Sequence, residues 1–140
     1  MRKFCKRYGN FRLEKYTIWN VTTKQKKIWK RGEEYAASWL VERGWVILEK
    51  NRRYPWGEID IVATDPKDIL VFVEVKTVRP GMIKAEDQMT AAKLTKLRRV
   101  AEGYANAHPN LVDDRWGWRI DVLALTVCGD GYEVRHYENV

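Results

Sequence analysis

The run Leu70-Val71-Phe72-Val73-Glu74-Val75-Lys76 is apolar for four residues and then sets an acid and a base two positions apart. β-Branched and aromatic residues dominate it and leave it no polar face. That predicts a strand from Ile69 to Val78, buried on both sides and central in its sheet. Successive side chains on a strand point to opposite faces, so Glu74 and Lys76 project side by side. Either charge buried alone costs several kcal/mol, so the two must pair, bind something or reach a sheet edge.

On the N-terminal side, Gly57-Glu58-Ile59-Asp60 leads into a second strand, Ile59 to Thr64, and Asp65-Pro66-Lys67-Asp68 has the order of a tight turn. If the hairpin loop is Pro66-Lys67-Asp68, Asp65 pairs with Ile69, and Asp60 falls opposite Glu74 on the face that carries Lys76. A two-residue loop would send Asp60 to the other face, because a slip of one residue inverts every side chain. A paired-carboxylate site therefore predicts one register.

Farther out, Ile28, Tyr35, Ala36, Trp39 and Leu40 share one helical face, and Gly44 ends that helix. Trp45 to Glu49 reads as a strand, and Asn51 to Gly57, with Pro55, as a loop. After Pro80-Gly81 a second helix is expected over Glu86 to Asn106, with Met89, Lys93, Leu97, Val100, Ala101 and Tyr104 on its inward stripe. Strands at Arg119 to Val127 and Tyr132 to Tyr137 complete an α-β-β-β-α-β-β order, a mixed α/β fold without internal repeats.

The chain has 140 residues, 45% apolar and 32% charged, the profile of one globular domain. Such a domain buries roughly two-thirds of its unfolded surface without staples. Cys5 and Cys128 form no CxxC pair, which argues against a disulfide framework and a cysteine zinc site and suits a reducing cytoplasm. The longest apolar run, Ile69 to Val73, is far short of the ~20 residues of a membrane span, and Lys15 interrupts any signal-peptide core. A cytoplasmic protein with no membrane partner is expected. The net charge of +7 is uneven: eleven bases and one acid precede residue 32, and fifteen bases and eighteen acids follow. Residues 1–27 thus read as a basic arm interleaved with Phe4, Tyr8, Phe11, Tyr16 and Trp19, attached to a 28–140 domain. The arm suits phosphates and bases, and equally suits a solvated tail.

Two close carboxylates raise each other's pKa unless a cation lies between them. Asp60 and Glu74 are the hard oxygen donors that Mg²⁺ or Mn²⁺ accepts, with the Val75 carbonyl available as a third ligand. A metal there would polarise a scissile phosphate and acidify a bound water, and Lys76 could orient that water or steady developing charge. Ser38, the only serine, has no nearby histidine, and no Walker loop or GxGxxG is present, so serine-hydrolase and nucleotide-cofactor chemistry are excluded. Glu58 suits an ion pair with Arg52 or Arg53. Lys93 could touch phosphate or snorkel past the core. The Arg115-Trp116-Gly117-Trp118 segment suits indoles packed on the sheet better than base stacking. His108 and His136 match no metal spacing and are expected at the surface.

The Asp-x13-Glu-x-Lys spacing resembles the PD-(D/E)xK nuclease superfamily. More closely, the chain resembles the YraN-like family of predicted endonucleases. The matching pieces are Gly32-Glu33-Glu34-Tyr35-Ala36-Ala37, Asn51-Arg52-Arg53, Gly57-Glu58-Ile59-Asp60, Val71 to Lys76, Thr90 with Lys93, and Arg119-Ile120-Asp121-Val122. The resemblance implies a restriction-endonuclease-like core, metal binding at Asp60 and Glu74, a base-like role for Lys76, and for Glu33 the accessory helix acid of archaeal Holliday-junction resolvases. Gln88 and the long basic stretch before Lys24 depart from the family pattern. The expected function is metal-dependent endonucleolytic cleavage of DNA, at branched or damaged sites. Lys24, Lys26, Lys27, Arg52, Arg53, Arg79 and Lys93 are the candidate nucleic-acid contacts. The alternative is a nucleic-acid-binding or scaffold protein with this fold and little cleavage. A homodimer would suit junction cleavage, though no residue demonstrates one.

Overall fold

The strand that carries Glu74 takes the central place expected of it. The computed structural model describes residues 18–81 and 85–140, with side chains from residue 30 onward except 82–86. Its elements are α1 (Ile18–Val41), β1 (Val46–Tyr54), β2 (Gly57–Thr64), β3 (Leu70–Val78), α2 (Ala91–Ala107), β4 (Trp118–Cys128) and β5 (Gly131–Tyr137). Short 3-10 turns occupy Ala85–Gln88 and Pro109–Leu111. The five strands form one sheet in the order β1-β2-β3-β4-β5. β3 pairs antiparallel with β2 and parallel with β4. The parallel pair needs a crossover, and α2 supplies it.

α1 covers one face of the sheet and α2 the other. Ala36, Leu40 and Trp45 bury Ile61, Val71 and Val73 on the α1 side. Leu97, Val100, Ala101 and Tyr104 bury Val62, Leu70 and Phe72 on the α2 side. Residues 70 and 72 therefore face one helix and 71 and 73 the other, which explains why β3 shows no polar face. No helix of the described residues is long and apolar enough to cross a membrane.

Local chemistry explains the helix boundaries. Gly44, at φ 84°, ends α1. Its N–H donates to the Val41 carbonyl and the Trp45 N–H to the Leu40 carbonyl, the pair of bonds that closes a helix on a left-handed glycine. α1 begins at Ile18, well before the expected Ile28, so residues 18–27 of the basic arm are helical. α2 begins at Ala91 and not at Glu86, because the Thr90 hydroxyl caps it by accepting from the Lys93 N–H at 3.3 Å. The segment expected as a loop is a hairpin: β1 continues to Tyr54, which pairs with Gly57 and leaves only Pro55-Trp56 at the tip. Cys128 is disulfide-bonded, which corrects the expectation drawn from the cysteine spacing; its partner lies outside the described residues. Distance along the chain did not decide whether the thiol could be reached.

Candidate active site

The β2–β3 ladder has the register that the carboxylate pair required. Thr64 pairs with Leu70, Val62 with Phe72 and Ile61 with Val73, and the Asp65 N–H donates to the Ile69 carbonyl across the turn. The ladder ends at Ile61, one residue before Asp60. There the Asp60 carboxylate itself bonds the neighbouring strand, accepting from the Val75 N–H at 2.8 Å through Oδ2. A side chain has replaced a main-chain partner, so the two strands part where the acids lie.

Asp60 is 7% exposed. Burial, and then the negative charge of Glu74, push its pKa up to about 8, against the lowering pull of the Val75 N–H bond. Glu33 adds a further repulsion and Lys76 a partial offset. On β3, the Lys76 ammonium donates to Glu74 Oε1 at 2.6 Å, both side chains being mostly buried. The lysine is thus committed to one carboxylate of the pair, and Asp60 keeps most of the electrostatic cost.

Glu33 reaches this group from α1. Gly32, the residue before it, lies against β3 so closely that an added Cβ would collide with the Thr77 hydroxyl. Only glycine lets the helix approach this far. Burial raises the Glu33 pKa, opposed by a hydrogen bond from the Asn51 side chain and reinforced by Glu58 and Glu74. Asn51 stands in β1 at φ 53°, a left-handed conformation that asparagine tolerates better than most residues. The four predicted catalytic residues, Glu33, Asp60, Glu74 and Lys76, are therefore brought together from α1, β2 and β3.

The remaining candidates divide. Lys93 shares the inward stripe of α2 with Leu97, Val100 and Tyr104, as expected, but is exposed, because it stands in the first turn of the helix, ahead of the residues that enter the core. With Glu74 and Lys76 it lines a cleft of about 240 Å³ between the β1–β2 hairpin and α2. Arg53 pairs with Glu58 at 3.5 Å, as expected, and Arg52 with Glu49 at 3.6 Å; these are surface pairs on the hairpin. Arg79, just past β3, is half-buried and engaged by a partner. The side chains of Lys24, Lys26 and Lys27 lie outside the described residues. Among the described residues, no three acidic, histidine or cysteine side chains form a ready metal cluster. A cation at Asp60 and Glu74 would complete its shell with main-chain oxygen, water and substrate, a donor set that suits Mg²⁺.

A second buried charge cluster is structural. Asp121, 0% exposed on β4, accepts from Arg119 Nε at 3.0 Å, from Arg119 Nη2 at 3.1 Å and from the Asn139 N–H at 3.0 Å. It also bonds His136 Nε2 at 2.8 Å. Arg119 Nη1 continues to Asp65 Oδ2 at 2.7 Å, tying β4 to the β2–β3 turn. His136 is therefore a partly buried partner of Asp121 and not a free surface residue. His108 is also engaged: its ring stacks on Tyr104 and its Nδ1 bonds the Tyr104 carbonyl. Sequence reasoning also passed over Asn51, Trp56 and Lys96. The unusual Pro55-Trp56-Gly57 tip was the available signal for Trp56, and Lys96 gave none.

Comparison with known proteins identifies a family. The model of the uncharacterised protein family UPF0102 matches residues 32–125, which span Glu33 through β4. A UPF0102 protein of Corynebacterium efficiens is 36% identical over 121 residues, 84% of this chain and 94% of the relative. One from Fervidobacterium nodosum is 38% identical over 115 residues, 82% of each chain. One from Syntrophotalea carbinolica is 43% identical over 108 residues, 76% of this chain and 84% of the relative.

Proposed function

We propose, for a chain that belongs to the uncharacterised protein family UPF0102, the YraN-like family of the restriction-endonuclease-like superfamily, metal-dependent hydrolysis of DNA phosphodiester bonds at branched or damaged sites. The observation that carries the reading is the convergence of Asp60 with Glu74 and Lys76 where the β2–β3 ladder ends, in the one register that permits it. Asp60 and Glu74, with the Val75 carbonyl, would hold Mg²⁺ or Mn²⁺. Bound there, the ion supplies positive charge to the phosphate and lowers the pKa of its water.

The chain's own residues do the rest. The Val75 N–H holds one Asp60 oxygen, Oδ2, and leaves Oδ1 as the oxygen that would take a cation. Lys76, which bonds Glu74 Oε1, has three ammonium donors and would offer those left over to the attacking water or the developing oxyanion. Glu33, hydrogen-bonded to Asn51, would accept a proton through water.

Linear, nicked and four-way-junction DNA incubated with Mg²⁺ or Mn²⁺ tests this, using wild type, Asp60→Asn and Lys76→Ala. Cleavage by wild type that both substitutions abolish is the expected result. Binding of every substrate without cleavage would leave the scaffold reading, which the short Lys76–Glu74 pair supports.

A further inference from the structure

Trp56 stands at the tip of the β1–β2 hairpin with 55% of its surface exposed. It is nonetheless held in place. Its ring stacks on Tyr54 at 5.6 Å between centroids and 25° between planes, and Tyr54 in turn packs on the α2-side core. The next residue, Gly57, is pressed against α2, where an added Cβ would meet Val100 Cγ2 at 2.9 Å. The hairpin tip and the helix are thus in fixed relation. Across the cleft from Trp56, α2 presents Lys93 and Lys96, both exposed and neither ion-paired among the described residues. Glu58, Glu74 and Lys76 also line the cleft.

A rigid, exposed indole facing two uncommitted ammonium groups has the two elements of single-strand recognition, a π-face for a base and cations for the flanking phosphates. The volume, about 240 Å³, lies below the ~300–1,000 Å³ of ordinary ligand sites and suits one nucleotide instead of a duplex groove. We propose that Trp56 is a stacking platform for an unpaired nucleobase, with Lys93 and Lys96 on the adjoining phosphates, so that the preferred substrate presents a single-stranded or flipped nucleotide to the cleft. The inference rests on the nuclease reading for its site and adds the substrate class.

Binding by fluorescence anisotropy in chelator tests it, with a single-stranded oligonucleotide, a blunt duplex and a duplex bearing a single-stranded flap. Wild type should prefer the first and third. Trp56→Ala should lose roughly tenfold on those two, the order of one lost stacked base, and nothing on the duplex. Trp56→Phe should keep most of the affinity. Lys96→Ala should weaken all three and lower the salt slope by roughly 0.7 to 0.9. Independently of how any variant folds, wild type should lose a similar factor on an oligonucleotide with abasic positions. Equal affinity for all three probes, or indifference to the abasic positions, overturns the inference. Its fate separates from that of the nuclease reading. Single-strand preference lost in Trp56→Ala without any cleavage by wild type keeps the platform and removes the hydrolysis, and DNA cleavage indifferent to Trp56 does the reverse.

Discussion

Replacing Asp60 with asparagine should make the metal-free protein more stable, by a margin that grows as pH rises. Asp60 is nearly buried beside Glu74, with Glu33 adding repulsion, and its pKa rises from 3.8 to about 8 on folding. A carboxyl whose folded pKa lies above its unfolded one favours the fold while protonated. That advantage is complete below about pH 4 and is lost as pH climbs through the window to about 8. Each pKa unit corresponds to ~1.4 kcal/mol, so the displacement caps the alkaline penalty at ~6 kcal/mol. Water entry and relaxation around the ionised acid reduce what a substitution recovers to about 2 kcal/mol, the upper range for a single stabilising change. Asparagine keeps the acceptor that the Val75 N–H needs and carries no charge. In chelator at pH 9, Asp60→Asn should therefore melt roughly 8 °C above wild type, at ~4 °C per kcal/mol for a chain of this size. At pH 5, about one unit above the unfolded pKa, only about a third of that gain, roughly 2 °C, should remain. Thermal melts followed by circular dichroism across pH 5 to 9 measure this. A gain that is absent at pH 9, or equal at both ends, would show that Asp60 carries no buried electrostatic cost.

Three other outcomes follow from the same geometry. Mg²⁺ at ~100 times its dissociation constant should stabilise wild type by about 2.7 kcal/mol and leave Asp60→Asn unmoved; calorimetric melts with and without chelator read both. Arg119→Met strips three donors from two buried carboxylates and should cost about 3–5 kcal/mol at neutral pH, measured by urea unfolding. Burial raises the pKa of Asp65 and of Asp121, but the Arg119 bonds, the backbone N–H groups and, at Asp121, His136 outweigh it and leave both below 3.8. Their stabilisation is present above that value and fades as pH falls through the lowered pKa values, so wild type and Arg119→Met should converge in acid. Gly32→Ala should force α1 off β3, cost about 1–3 kcal/mol and draw Glu33 out of the site; Thr77→Ala in the same chain should recover most of the loss, since it clears the colliding hydroxyl.

The acids were legible because strand periodicity and turn length together make a falsifiable register. A hydrophobic run with Glu74 and Lys76 two apart, and a tight turn led by Asp65, narrowed the hairpin to two registers, of which only the three-residue loop puts Asp60 opposite Glu74. The Asp65 carboxylate does cap that turn, accepting from Lys67 and Ile69 N–H groups. Glu33 was reached through the family resemblance, since nothing local in α1 says that Gly32 sits against Thr77. The hairpin tip was missed because Pro55 and Gly57 read equally as a loop, and only the pairing of Tyr54 with Gly57 distinguishes the two. Lys93 was placed on the right stripe by its spacing from Leu97, Val100 and Tyr104, but periodicity does not tell that the first turn of α2 borders the cleft and not the core. The roles of Asp121 and His136 depend on a contact between β4, β5 and the C-terminal residues, which no short-range pattern encodes.

The crossover between β3 and β4 also sets the order in which the molecule can come together. β1, β2 and β3 are joined by a two-residue tip and a short turn, so their pairing closes loops of small entropy. Leu70, by contrast, meets Trp118, and the whole parallel ladder spans that separation in sequence. Contacts so distant form late in folding. Asp60, Glu74 and Lys76 all belong to the early meander, whereas the Arg119 bridge from Asp121 to Asp65 can close only after β4 arrives. The acids are thus assembled by the fast part of the chain and locked by the slow part, and a weakened lock would appear chiefly as faster unfolding, with the meander's own rate of formation unchanged.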